Sequence, residues 1–381
     1  MHGEERFHGG GSLNLGALRR EKAELVALNS LSGMTYGRLR DLLTLYGSPG
    51  GAWEALIVGE QALALKGSLN QEARDLDPVR LLGEVERGGT AVMVRGEPEY
   101  PNLLENITDP PFLLYYRGKP PSQHAPSVAV VGSRKASGYG LEVARWLSSG
   151  LVGEGFNVVS GAAWGIDTAA HRGALDKGGQ TTAVLGCGVD VAYPRSNRAL
   201  LQEIAESGCL ISEFPPGTPP LKGNFPMRTR LIAGMARATV VVEAGSKSGA
   251  LITAEFALSE GREVMAVPGP VFSPSSKGTN ELIRNGATPV TCPDDVVEAL
   301  GMKMGTKCFQ AESGPHLTER ERLLLDALAA GEADAEHLSR SLGTTVTETV
   351  VMLSSMEVLG LVARGPGGLY RYRPPGGSRG Y

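Results

Sequence analysis

No run in the 381 residues approaches the roughly 20 apolar positions that a helix needs to cross a bilayer. The opening residues, MHGEERFHGGGSLNLG, lack the apolar stretch of a secretion signal. Both absences point to a cytosolic (cytoplasmic) protein with no membrane attachment. Cysteine is scarce: Cys187, Cys209, Cys292 and Cys308 are far apart and form no CxxC pair, which argues against a metal site and against a disulfide framework. Nor is there an excess of positive charge, because 37 Lys and Arg are outnumbered by 41 Asp and Glu, for a net charge of −4. Any affinity for nucleic acid must therefore come from a local gathering of cations.

What is present is ordinary globular material, 41% hydrophobic and 20% charged, over a length that suggests about two or three domains. Acid is missing in places. Between Glu213 and Glu243 there is no Asp or Glu, yet Lys222, Arg228, Arg230 and Arg237 all occur. The stretch from Phe112 to Leu141 is also free of acid and carries Arg134 and Lys135 directly after a predicted strand. A solvated surface face is the plainer alternative for such charges, so their placement matters more than their number.

Residues 1–20, Gly-rich and polar, are expected to be disordered, and residues 21–85 read as a small helical unit. Its segments, Glu21–Ser30, Thr35–Leu45 and Ala52–Ile57, are broken at Ser32-Gly33 and at Gly47-Ser48-Pro49-Gly50-Gly51. The unit resembles a SAM or helix-hairpin-helix module, but its turn lacks a Gly-apolar-Gly pattern, so a packing unit without DNA contact is an equal reading. Residues 86–300 read as one Rossmann-like region, with Thr90–Lys119 as its lead-in. Within it, SVAVVG (127–132), FNVVSG (156–161), TTAVLG (181–186), CLISEF (209–214), TVVVEA (239–244) and EVMAVPG (263–269) alternate with helix-like runs. Continuous β-branched strands separated by helices predict an α/β fold, a parallel sheet covered on both faces. Residues 301–316 form a polar connector. The remaining 317–374, three helices and a Gly-rich ribbon, look like a winged helix, followed by a short tail, 375–381.

In such sheets ligands sit beyond the carboxyl ends of the strands, where helix N-termini offer unpaired N–H groups to anions. The unusual residues fall there: Gly132-Ser133-Arg134-Lys135, Ser160-Gly161, Gly186-Cys187-Gly188 and Gly245-Ser246-Lys247-Ser248-Gly249. The rim is therefore expected to hold phosphate. A dinucleotide cofactor is disfavoured, since the Gly132 loop is not G-x-G-x-x-G and the second strand ends without an acid for the ribose; no cofactor is expected. Asp167 and His171, four apart on a predicted helix, could make an acid–base pair, but no nucleophile motif accompanies them and packing is the better reading.

The runs VAVVGSRKASGYG (128–140), VVSGAAWGIDTAAHRGAL (158–175), FPMRTRLIAG (225–234), SGALITAEFAL (248–258) and VPGP (267–270) together resemble the signatures of the DNA-processing protein A (DprA/Smf) family. The resemblance implies a dimeric, non-enzymatic protein of natural transformation (competence) and DNA recombination. Such a protein binds single-stranded DNA without sequence preference, relieves it of single-strand-binding protein and loads the RecA recombinase. It places the phosphate grip on Gly132, Ser133 and Arg134, and further DNA contacts on Lys222, Asn224, Phe225 and Arg228; the rim itself adds Lys135, Ser160, Gly161, Ser248 and Gly249 as candidate contacts, and the acid-free stretch adds Arg230. Phe225 is either a stacking platform or a core anchor. Two positions depart from the family pattern: Trp164 stands where Arg is usual, and Thr229 where Asn is usual, a change expected to loosen the loop without moving the basic side chains. A rival reading is a nucleotide phosphoribohydrolase on the same fold, although the P-G-G-x-G-T-x-x-E loop of those relatives is here Ala244-Gly245-Ser246-Lys247-Ser248-Gly249, with Glu255 at a different spacing. In the winged helix, the third helix has no Lys or Arg, leaving Arg364, Arg371 and Arg373 as its only candidate DNA contacts.

Overall fold

The computed structural model of the chain describes residues 15–59, 68–123, 125–302, 319–358, 361–365 and 368–372. The connector from 303, the tail, Arg373 and most of the expected N-terminal disorder lie outside the described residues. Two compact units emerge, Met1–Gly305 and Thr306–Tyr381.

The first unit is built on a nine-stranded sheet in the order β1-β2-β6-β5-β4-β3-β7-β8-β9. The strands are β1 (Ala91–Val94), β2 (Leu113–Gly118), β3 (Ser127–Val131), β4 (Asn157–Ser160), β5 (Thr181–Val184), β6 (Cys209–Ser212), β7 (Ala238–Val241), β8 (Glu263–Ala266) and β9 (Thr288–Pro289). From β6 across to β9 every pairing is parallel, while β1 and β2 add two antiparallel strands beyond β6. The lead-in is thus part of the sheet itself.

Both faces of the parallel strands are buried, which is why their sequences run apolar without alternation. In β3, Ala129 and Val131 pack with Leu231 and Ile232 of the Asn224–Gly234 helix and with Ala250, Ala254 and Ala257 of the Gly249–Ser259 helix. Val128 and Val130 point the other way, toward Ala144, Leu147 and Leu151 of the Gly138–Gly153 helix and Ile166, Ala170 and Ala174 of the Ile166–Asp176 helix.

The N-terminal helices run Leu15–Ser30, Tyr36–Tyr46, Pro49–Val58, Ser68–Asp75 and Pro78–Arg87. The first begins within the segment expected to be disordered, favoured by good helix formers and an Arg20–Glu24 pair at i,i+4. These helices share one core with the sheet: Leu28, Leu39 and Leu56 cluster with Tyr115, Leu200, Ile204 and Leu210. The junction is polar as well. Arg230 Nη2 donates to both carboxylate oxygens of Glu213 at 2.6 Å, the guanidinium lies over the Tyr36 ring, 5.2 Å from its centroid, and Tyr36 stacks on Phe112.

In the second unit, helices Glu319–Ala330, Ala335–Leu342 and Val346–Val358 enclose Leu324, Leu328, Leu338, Leu353 and Met356. An antiparallel ribbon, β10 (Val362–Arg364) and β11 (Tyr370–Tyr372), completes the three-helix-and-wing arrangement.

Candidate nucleic-acid interface

The chain runs from β3 outward through β4, β5 and β6, then returns to place β7 on the opposite side of β3. The carboxyl ends of β3 and β7 therefore form the switch point at which loops diverge and leave a crevice. A cavity of about 520 Å³ opens there, lined by Gly132, Ser133, Arg134 and Lys135 after β3, by Gly245, Lys247, Ser248 and Gly249 after β7, and by Phe225, Arg228 and Thr229 of the intervening helix.

The two loops are tied together. The Ser133 amide donates to the Glu243 carbonyl at 2.7 Å, and the Ser133 carbonyl accepts from the Ile166 amide. The buried Glu243 carboxylate accepts from the Ser137 amide at 2.8 Å and from the Ser275 hydroxyl at 2.6 Å. This closeness explains Gly132, since a Cβ there would lie 2.9 Å from the Glu243 carbonyl oxygen. Ser248 caps the Gly249–Ser259 helix, whose first turn faces the cavity and brings the positive end of its dipole. Arg134, Lys135 and Lys247 are exposed and make no ion pair among the described residues, which leaves three cations for an anionic ligand. The Arg134 guanidinium also lies over the Phe225 ring, 5.6 Å from its centroid.

Several expected contacts need correction. Arg228 is buried, and its Nη1 donates to the carbonyls of Gly161 and Val184, at the ends of β4 and β5. It is a floor beneath the cavity rather than a hand reaching for phosphate. Arg230 is committed to Glu213 and Tyr36, on the side of the helical unit. Asn224 lines that same side, with Tyr36 and Glu213. Ser160 is fully buried and donates to the Val130 carbonyl. The Gly161 amide donates to Asp167, and the Ser133 amide is taken by Glu243, so neither is open to a ligand. Lys222 is exposed just ahead of the Asn224–Gly234 helix but does not line the cavity. For Arg228 and Arg230 the cause is that a helix carrying Arg two residues apart points them to different sides, and spacing alone does not say where each goes; Ser160, Gly161 and the Ser133 amide are instead used up by the fold's own hydrogen bonds.

Phe225, on the same helix, does line the cavity and packs against Tyr193 with centroids 5.3 Å apart. Thr229, the departure from Asn, donates to the Pro226 carbonyl within its own helix, and the flanking arginines are both anchored. Lys247, in the Gly- and Ser-rich loop after β7, is a further cavity cation whose loop signalled close backbone approach rather than a charged contact. Glu243 was missed because a carboxylate closing a strand gives no sign of binding two loops.

Asp167 and His171 are each bonded to other partners. Asp167 accepts from the Gly161 and Ala163 amides, and burial holds its carboxyl above the usual range against the pull of Arg228. His171 is fully buried, its Nδ1 2.7 Å from the Thr181 hydroxyl. That hydroxyl donates its one proton to the Val158 carbonyl, so it must accept from Nδ1–H. Glu255 is exposed and does not line the cavity.

Residues 91–301, more than half of the chain, match the family model of DNA recombination-mediator protein A. The chain belongs to that family. Residues 310–368 match the DprA winged helix domain. Protein Smf of Synechocystis sp. is 34% identical over 338 residues, which is 79% of this chain and 85% of the relative. The DprA structure from Streptococcus pneumoniae has 36% sequence identity and a TM-score of 0.64, covering 74% of this chain and 97% of that one. A Helicobacter pylori DprA structure described for its single-stranded DNA binding mode has 28% identity and a TM-score of 0.50, covering 55% of this chain and 95% of that one. Among the described residues, no helix of this DprA-family chain is long and apolar enough to cross a membrane.

Proposed function

We propose that this chain binds single-stranded DNA along the carboxyl rim of its sheet, without regard to base sequence, and passes the strand to the RecA recombinase. The observation that carries the reading is the cavity at the β3/β7 switch point, where Arg134, Lys135 and Lys247 gather at a helix N-terminus beside the Phe225 ring. Cations and a helix dipole bind phosphate, which every nucleotide carries, and a ring stacks on any base. Family membership and the single-strand binding of the H. pylori relative support the same reading. In a transforming cell, single-strand-binding protein would be displaced from the incoming DNA, and a homodimer in the cytoplasm would present it for recombination. The function needs binding and release rather than bond cleavage, in keeping with the anchored state of Asp167 and His171.

The test is an anisotropy titration of single- and double-stranded oligonucleotides of unrelated sequence. The wild type should prefer every single strand about equally, with affinity falling with salt at a slope of about −0.7 per phosphate neutralised. A preference for duplex, or for one sequence, would refute the reading.

A further inference from the structure

Beside the phosphate cavity lies a second, aromatic cleft. It is lined by Trp164, Tyr193, Pro194 and Phe225, with Arg134 shared between the two. Trp164 is 54% exposed, although a buried indole would contribute more to folding. Its ring is nevertheless held, because Nε1 donates to the Ser196 hydroxyl at 2.8 Å. Its place in the chain is fixed too: Gly165, at φ +78°, turns the backbone directly into the Ile166–Asp176 helix. A pinned ring with a wet face gives up little entropy when something flat covers it.

We infer that Trp164, with Tyr193 and Phe225, forms a nucleobase-stacking subsite that takes the base of a nucleotide whose phosphate is held at Arg134. The inference rests on the single-strand reading above and adds to it a residue and a base position. Arg134 lines both compartments, as does Phe225, over whose ring its guanidinium lies. A phosphate on Arg134 thus brings its own base to the mouth of the cleft. The cleft encloses only about 20 Å³, far less than a base, so the base lies across the mouth against the exposed indole rather than inside. Such stacking tolerates any base, and purines, with the larger face, gain most.

The experiment compares the full-length wild type with Trp164→Ala, Trp164→Phe and Arg134→Ala. Each is titrated against an intact single strand and a strand of the same length made of abasic sugar-phosphate units. Trp164→Ala should weaken binding of the intact strand about tenfold and leave the abasic strand unchanged, while Trp164→Phe should restore most of the loss. Arg134→Ala should weaken both strands. If Trp164→Ala weakens both strands equally, the residue only shapes its loop and the subsite is overturned. If Trp164→Ala binds as the wild type while Arg134→Ala does not, the subsite falls and the phosphate rim stands. If the wild type binds no single strand, both fall together.

Discussion

Two arginines, Arg134 on the loop after β3 and Arg228 on the Asn224–Gly234 helix, illustrate how similar residues divide their work. Arg134 is exposed with no acidic partner among the described residues, whereas Arg228 is buried and bonded to two strand-end carbonyls. Arg134→Ala should therefore reduce affinity for all single strands and leave the unfolding midpoint unmoved, as an anisotropy titration beside a thermal melt would show. Arg228→Ala should do the reverse in the first instance, costing about 3 kcal/mol in urea unfolding, because Asp167 and two carbonyls lose a buried cation. His171 adds a pH dependence. Burial, helped by the Arg228 charge, pushes its imidazole down to about 3, and Nε2 has no partner with which to welcome a proton. The unfolded chain takes up that proton below about pH 6.5, so stability falls as pH drops from there toward 3, by at most about 1.4 kcal/mol per pH unit. Asp167, with its carboxyl held high, works in the opposite sense over the acidic part of this window. Comparing wild type with His171→Gln isolates the histidine: the variant should lose stability more shallowly between pH 6.5 and 4. Two of the three exposed rim cations, Arg134 and Lys135, were legible from the sequence because they directly follow a strand. The fates of Arg228 and Arg230 were not, because a helix crossing the sheet edge buries side chains according to its roll, which pairwise spacing leaves undetermined.

At the scale of elements, six of the seven parallel strands announce themselves as β-branched runs, most of them ending in Gly, Ser or Pro, and all six form where expected, with β7 starting one residue early at Ala238; the two-residue β9 (Thr288–Pro289) gave no such run. The antiparallel pair β1 and β2 was less visible, since Tyr100-Pro101 and Asp109-Pro110-Pro111 break the stretch between them and conceal that its ends pair. The helices at Ser68–Asp75 and Pro78–Arg87 were likewise folded into one undivided unit, although Asp77 accepts from the Val79 and Arg80 amides as a helix cap. Glu243 belongs to this scale because its value lies in what it joins. Glu243→Ala should remove the charged acceptor of both the Ser137 amide and the Ser275 hydroxyl, costing about 2 kcal/mol of stability for the charge-assisted hydrogen bonds lost. It should also weaken single-strand binding, although Glu243 itself carries the wrong charge for DNA. Unchanged affinity in that variant would show that the rim loops hold their shape without it.

For the molecule as a whole, the compact unit through Gly305 contains the switch-point cavity and its own three cores. The Val346–Val358 helix of the second unit has no Lys or Arg, and Val346, Val350 and Val351 are exposed on it, a surface suited to protein rather than to phosphate. Of its wing residues, Arg364 is engaged over Tyr370. Removing residues 315–381 should therefore leave most single-strand affinity in place, and a loss beyond about tenfold in a gel shift would place DNA contacts in the second unit. The guanidinium of Arg228, locked across the ends of two strands, bears finally on timing. A floor that is already set gives an arriving strand nothing to wait for, so in stopped-flow mixing the observed rate should rise linearly with protein concentration, in one exponential, with no slow plateau from rearrangement.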